Sequence, residues 1–175
     1  LLASSAASDV YKRQFQKNSM KIFGYAFDSP KMKGLSDLFI GAKTLYAYRL
    51  NGGGEKAAND FATALYSGTR GNDLKIVIQA NADDTKKFDV ITYLGTVKVD
   101  AQTVAKAADL VANDYVVFKT DATLAVTAST PLSGGTNGTV DGTAHQAYLD
   151  KIESYTYNAM GVVVTDETCL LYTSD

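Results

Sequence analysis

The sequence predicts an α+β chain, an α/β layer interrupted by an inserted small β-sandwich. Three observations carry this expectation. Near each end of the central region a helix-spaced apolar run is followed by an apolar, β-rich segment, the opening of an α/β layer. Between them, short β-rich runs alternate with turn residues, a spacing that points to a sandwich. A Gly-rich stretch, Ser133–Gly142 (SGGTNGTVDG), then separates the β-rich block from the second helix-strand pair.

The elements follow in chain order. Met32, Leu35, Leu38 and Phe39 have helical spacing, with Pro30 suited to the first helical position and Gly41 to the stop. Thr44–Leu50 (TLYAYRL) is expected to be a strand buried on both faces, broken by Asn51-Gly-Gly-Gly54. Strands are then expected at Phe61–Ser67, Leu74–Ala80, Lys87–Leu94 and Thr96–Val99, with Gly95 as a hairpin point. Val104, Ala108 and Val111 suggest a short helix, and Val116–Lys119 and Leu124–Ala128 two further strands. Pro131 closes the block, and Ser133–Gly142 is too rich in Gly to hold a helix. Thr143 is the expected cap of a helix whose apolar face carries Ala144, Ala147, Tyr148, Ile152 and Tyr155. Gly161–Thr165 (GVVVT) reads as a last buried strand. Two helix-strand pairs make too small a sheet to stand alone, so the α/β half is expected to be incomplete.

The ends read differently. Leu1–Gln14 (LLASSAASDVYKRQ) and Cys169–Asp175 (CLLYTSD) show no apolar period that continues into their neighbours. Both are similar to translated adapter read-through. The rival reading of the first, a signal-peptide stub, lacks a basic n-region and an h-region. The expected organisation is therefore residues 1–14 and 169–175 as non-native ends and 15–60 as the first part of the α/β domain. Residues 61–131 are then the inserted sandwich, and 132–168 the resumption of the α/β domain.

Composition excludes several function classes. Hydrophobic residues make up 46% and charged residues 21%, which argues against wholesale disorder. Lys and Arg number 17 against 19 acidic residues, so no net positive charge recommends nucleic acid or anionic lipid as a partner. No apolar run approaches the roughly 20 residues that span a bilayer. One Cys excludes an internal disulfide and one His excludes a site needing two imidazoles.

The residues able to carry chemistry are few. Asn51–Lys56 is Gly-rich, but a phosphate loop needs Lys and a hydroxyl directly after its last Gly. Here Glu55 precedes Lys56, and Ala57 and Ala58 offer no hydroxyl, so a linker into the sandwich is the better reading. His145 is the obligatory general base of any nucleophile-base pair, with Ser133, Thr136 and Thr139 as nearby hydroxyls and Asp141 or Asp150 to orient it. No G-x-S-x-G elbow surrounds those hydroxyls, and a polar residue near a helix start is ordinary. Asp83, Asp84 and Asp89, or Asn59 with Asp60, lack calcium-loop spacing and read as solvated turn acids. Asn137-Gly138-Thr139 is a formal glycosylation sequon. Arg70, between Gly68 and Gly71, is expected in a tight turn, clamping an acidic group of this chain or of a neighbouring subunit. Tyr155 and Tyr157 suit either a helix core face or a subunit contact, and no basic groove accompanies the tyrosines. No catalytic, cofactor-binding or metal-ligating residue is assigned, and the chain is read as a non-enzyme without cofactor.

TLYAYRLNGGGEKA (Thr44–Ala57) followed by YSGTRGNDLKIVIQ (Tyr66–Gln79) resembles contractile phage tail sheath proteins of Gram-positive myophages and defective prophages. The resemblance continues through DDTKKFDVITYLG (Asp83–Gly95). It also takes in Pro131–Glu167, which is similar to the start of the family's subtilisin-like domain. It implies a structural subunit of the virion tail, assembled in the bacterial cytoplasm. Such subunits stack helically with copies of themselves around the tail tube, meet the baseplate, and contract to drive the tube into the host. Neither nucleic acid nor membrane insertion is implied. The family's opening region and long C-terminal half are not represented. The alternative reading is a secreted β-sandwich surface-binding module on an α/β scaffold.

Overall fold

The computed structural model describes residues 8–42 and 45–161. Helix α1 (Ser8–Phe23) runs continuously across position 14. Positions 15, 19 and 23 share one helix face. Phe15 is buried there, edge-on to Phe23 and to Phe27 with ring centroids 5.7 Å apart in each pair. Met32, Leu35 and Leu45 complete this small cluster. A 3-10 turn (Pro30–Met32), capped by the Ser29 hydroxyl, leads into α2 (Lys33–Gly41). This is the helix expected from Pro30 to Gly41, except that Gly41 is its last helical residue and Ala42 closes it by donating to the Leu38 carbonyl.

The strand expected over Thr44–Leu50 is corrected. Residues 45–49 carry no regular structure, and a turn begins at Leu50. The physical reason is the lack of a ladder partner among the described residues. Instead Tyr46 packs on Tyr155 and Tyr48 on Tyr148, with centroids 4.6 and 5.8 Å apart; Tyr148 lies on the helix Gly142–Ile152 and Tyr155 in the bend just after it. Tyr48 remains 45% exposed, so burial on both faces does not hold. The companion strand expected at Gly161–Thr165 lies, beyond Gly161, outside the described residues.

The centre of the chain forms two antiparallel sheets. One has the order β4-β3-β2-β6 and the other pairs β1 with β5. The strands are β1 (Ala62–Ala64), β2 (Leu74–Ala80), β3 (Phe88–Leu94), β4 (Val97–Val104), β5 (Val116–Phe118) and β6 (Thr127–Pro131). β2 and β3 pair in unbroken register from Leu74↔Leu94 to Ala80↔Phe88. Gly95, at φ +63°, begins the turn between β3 and β4. Ile76, Ile78, Val90 and Leu94 from the large sheet meet Ala62, Ala64, Val116 and Phe118 from the small one in a single core. Each fully buried Ile, Val or Phe in it contributes about 1.5–3 kcal/mol.

Three expectations shift here. The strand placed at Thr96–Val99 extends to Val104, because β4 continues its pairing with β3 as far as Phe88↔Val104. The helix expected from Val104, Ala108 and Val111 is only a 3-10 turn, Ala107–Asp109. The buried positions are Val104, Ala107 and Leu110, a spacing of three that suits a tighter turn. The strand placed at Leu124–Ala128 is β6, three residues later, where pairing with β2 shifts register between Ile76 and Ile78. Pro131 is tolerated because β6 lies at a sheet edge.

Helix α3 (Gly142–Ile152) forms as expected, but its cap is Asp141 rather than Thr143. The Asp141 carboxylate accepts from the Ala144 amide at 2.9 Å. No α3 residue is fully buried. Helices plus antiparallel sheets make the described chain α+β.

Candidate functional site

The two Gly-rich stretches and the GTRGND turn converge on the neck of the sandwich, where its incoming and outgoing segments lie side by side. Ala58 and Ser133 exchange backbone hydrogen bonds at 2.8 and 3.0 Å. One turn further out, the Glu55 amide donates to the Thr136 hydroxyl at 2.9 Å and the Thr136 amide donates back to the Glu55 carbonyl at 3.1 Å. At the mouth the Gly138 amide donates to the Asn51 carbonyl at 2.9 Å. Backbones this close exclude side chains. A Cβ on Gly54 would overlap the Thr136 carbonyl oxygen, and one on Gly138 would lie 2.6 Å from the Gly53 nitrogen. The two Gly-rich stretches are therefore one structure, neither a phosphate loop nor a free linker.

The Gly68–Asp73 turn (GTRGND) locks the neck from the side. Gly68 donates to the Glu55 carbonyl, and Thr69 donates from its amide to Asn137 Oδ1 at 3.2 Å. Asn72 and Gly135 bond reciprocally at 2.8 and 2.9 Å, and Gly71 sits on the methyl groups of Ala57 and Ala64. Arg70 acts inside the chain. Its Nη1 pairs with Asp73 at 2.6 Å, its Nε donates to the Gly24 carbonyl at 2.8 Å, and its guanidinium lies 4.7 Å from the Tyr25 ring centre. Arg49, to which no role was given from sequence, closes the other side. Nη1 donates to the Ser67 carbonyl at 2.7 Å and Nε to Asn51 Oδ1 at 2.8 Å, while the Ser67 hydroxyl donates to the Gly52 carbonyl. The one signal in the sequence is its place, just before a Gly run that needs side-chain partners for its backbone.

The remaining candidates have local roles. Nδ1 of His145 lies 2.8 Å from the Asp141 carbonyl oxygen, in the first turn of α3, and Asp141 is spent on capping. Asp150 accepts from Gln146 at 2.7 Å. The Asp84 carboxylate is held below the usual carboxylate range by the Lys86 amide and by Lys87. Asp89 is held low by the hydroxyl of Thr103 and the amide of Asn81. Asn59 turns the chain by accepting from the amides of Phe61 and Ala62. Among the described residues no three His, Cys, Asp or Glu side chains converge as a metal site, and no helix is long and apolar enough to cross a membrane. Tyr155 packs on Tyr46, while Tyr157 is 45% exposed.

Comparison with known proteins gives one consistent answer. Residues 41–137 match the phage tail sheath protein beta-sandwich domain. The Bacillus subtilis phage-like element PBSX protein XkdK is 41% identical over 124 residues, which take in 68% of this chain and 26% of that protein. The uncharacterized Bacillus subtilis protein YqbK is 35% identical over 168 residues, 83% of this chain and 36% of that one. The crystal structure of a sheath tail protein from Desulfitobacterium hafniense superposes with a TM-score of 0.79 at 36% identity, covering 87% of this chain and 38% of that one. A sheath tail protein from Listeria innocua gives 0.74 at 30% identity, covering 97% and 40%. The chain thus spans between about a quarter and two fifths of the length of these relatives.

Proposed function

The chain belongs to the phage tail sheath family, and from that premise we propose that it is the sandwich-bearing part of a subunit that polymerises helically around a tail tube and contracts. Family membership supports a structural role in a phage tail and a non-enzymatic reading, and it does not favour a secreted surface-binding module. The observation that carries the finer reading is the neck. It ties the two ends of the sandwich to each other and to flanking segments through paired backbone bonds and two arginine clamps, which supports reading the sandwich as an appendage of a second domain. In this reading residues 15–60 and 132–168 belong to a subtilisin-like α/β domain, and residues 61–131 are its insertion. The α3 face, with nothing fully buried, then awaits the rest of that domain. The tube and baseplate are the further partners, and assembly takes place in the bacterial cytoplasm.

Helical stacking uses heterologous contacts that never close, and each stable contact buries about 1,200–2,000 Å². In this reading such contacts need the α/β domain as well as the sandwich. Electron microscopy and sedimentation of this chain beside a sheath protein of full family length carrying the same residues decide the matter. The expected result is tubes from the long protein and none from this chain. Regular tubes from this chain alone, or a long protein that stays strictly monomeric, overturn the reading.

A further inference from the structure

The neck carries two Asn-Gly pairs, Asn51-Gly52 and Asn137-Gly138, in opposite chemical states. We propose that Asn51-Gly52 is a site of spontaneous succinimide formation in the folded protein, and that the fold protects Asn137-Gly138 from the same reaction. In this chemistry the backbone nitrogen of the glycine loses its proton and bonds to the Asn Cγ. The Cγ–Nδ2 bond breaks, and ammonia leaves with a proton. Water then opens the five-membered ring at either carbonyl, giving aspartate or isoaspartate. The net change is one water consumed and one ammonia released, with no oxidant or reductant. Glycine favours the attack because it has no side chain to hinder it and bends freely.

The state of the glycine amide decides which pair reacts. The Gly52 amide and the Asn51 Nδ2 make no hydrogen bond among the described residues, so both nucleophile and leaving group are uncommitted. Arg49 Nε donates to Asn51 Oδ1 at 2.8 Å, on the oxygen where negative charge develops as Cγ is attacked. At the second pair Asn137 Oδ1 likewise accepts a donor, the Thr69 amide, but the nucleophile is committed: the Gly138 amide is tied to the Asn51 carbonyl at 2.9 Å. Reaction there requires the mouth of the neck to open first. The isoaspartate product at 51 adds a backbone carbon and pulls the Asn51 carbonyl off Gly138. Ageing at this position therefore loosens the neck.

Peptide mapping by mass spectrometry, on the 175-residue chain held at mildly alkaline pH, tests this. In the folded protein, the gain of one mass unit is expected at Asn51, with Asn137 converting at least about tenfold more slowly. In urea the two rates should agree within a few-fold. Gly52→Ala, where an added Cβ has an ordinary 3.6 Å contact with the Arg49 carbonyl, should fold normally and suppress conversion at Asn51. Equal rates in the folded state, faster conversion at Asn137, or an inert Asn51 in a fold whose unfolded chain reacts would each overturn the proposal.

Discussion

Gly68 sits at φ +128° and ψ 158°, a region that only glycine occupies without strain. A Cβ there would lie 2.6 Å from Arg49 Nη2 and 3.1 Å from Asn137 Oδ1, so it strikes the clamp and the outgoing segment together. Gly95 also has positive φ, at +63°, but opens onto empty space. Gly68→Ala is expected to cost about 1–3 kcal/mol or more. Gly95→Ala should cost about 1–2 kcal/mol, and urea melts of both variants check the order. Charge gives a second expectation at this scale. The Asp84 and Asp89 carboxyls are both lowered from an ordinary value of 3.8, so the folded state binds fewer protons than the unfolded one in that window. Their contribution is complete above the unfolded value and fades as pH falls through the lower folded ones. Both are only half-buried, so the effect is a small drop in urea midpoint below about pH 4, which Asp89→Asn should reduce. The GTRGND motif and the acids Asp83 and Asp84 were readable as turn residues, but Asp89 was not: it lies in β3, opposite Thr103, and accepts from Thr103 and Asn81. Arg49 was not readable, because its long-range partner is the Ser67 backbone carbonyl, which no spacing rule marks.

The elements that were legible are those whose pattern and pairing agree. β2 (LKIVIQA) has its expected bounds because it is an inner strand of the large sheet, paired on both sides, with Ile76 and Ile78 fully buried. β4 was read short because Asp100 and Gln102 interrupt its apolar run. They pair opposite Thr92 and Val90, and their polar ends are satisfied by Asn113 and by Val111. Inward polar groups of this kind also blunt a sheet edge against stray pairing. α1 went unread because the buried Ser19 breaks the stripe between Phe15 and Phe23, its hydroxyl satisfied by the Gln16 carbonyl. Segment 45–49 has strand chemistry but no ladder among the described residues, which a sequence cannot reveal. Asn113 is the test of this level. Its Nδ2 donates to Asp100 and Thr92, and its Oδ1 accepts from the amides of Tyr115 and Val116. Asn113→Ala strands several of these groups and should cost about 1–3 kcal/mol. The loss should be accompanied by faster amide exchange at Tyr115 and Val116. Ile76→Ala, which opens a hole in the core, should cost about 2–5 kcal/mol without that local signature.

At the scale of the whole molecule, the sandwich should fold without its flanks, provided the cut respects the neck. Residues 61–131, the span suggested by strand texture, omit two core groups. Ala57 is fully buried and accepts from the Ala64 amide at 2.7 Å, and Leu132 is 1% exposed and donates to the Leu74 carbonyl at 2.9 Å. Ala58 and Ser133 then tie the two ends together, which a domain inserted in another chain requires. Burying Leu132 alone contributes about 1.5–3 kcal/mol. A domain this small has only a few times that in reserve, since it buries only about 60% of its chain surface. The flanks add less. Lys21 and Asp114 form an exposed pair, which is worth little, and Met20 only half-covers the core. Residues 57–133 expressed alone are therefore expected to give a single cooperative, β-type melt. Residues 61–131 should unfold at a clearly lower urea concentration or lack a transition. Equal midpoints for the two would show that the neck adds no stability. A non-cooperative 57–133 would show that the sandwich depends on α1 and the Arg70 contacts, and the insertion reading would fall with it.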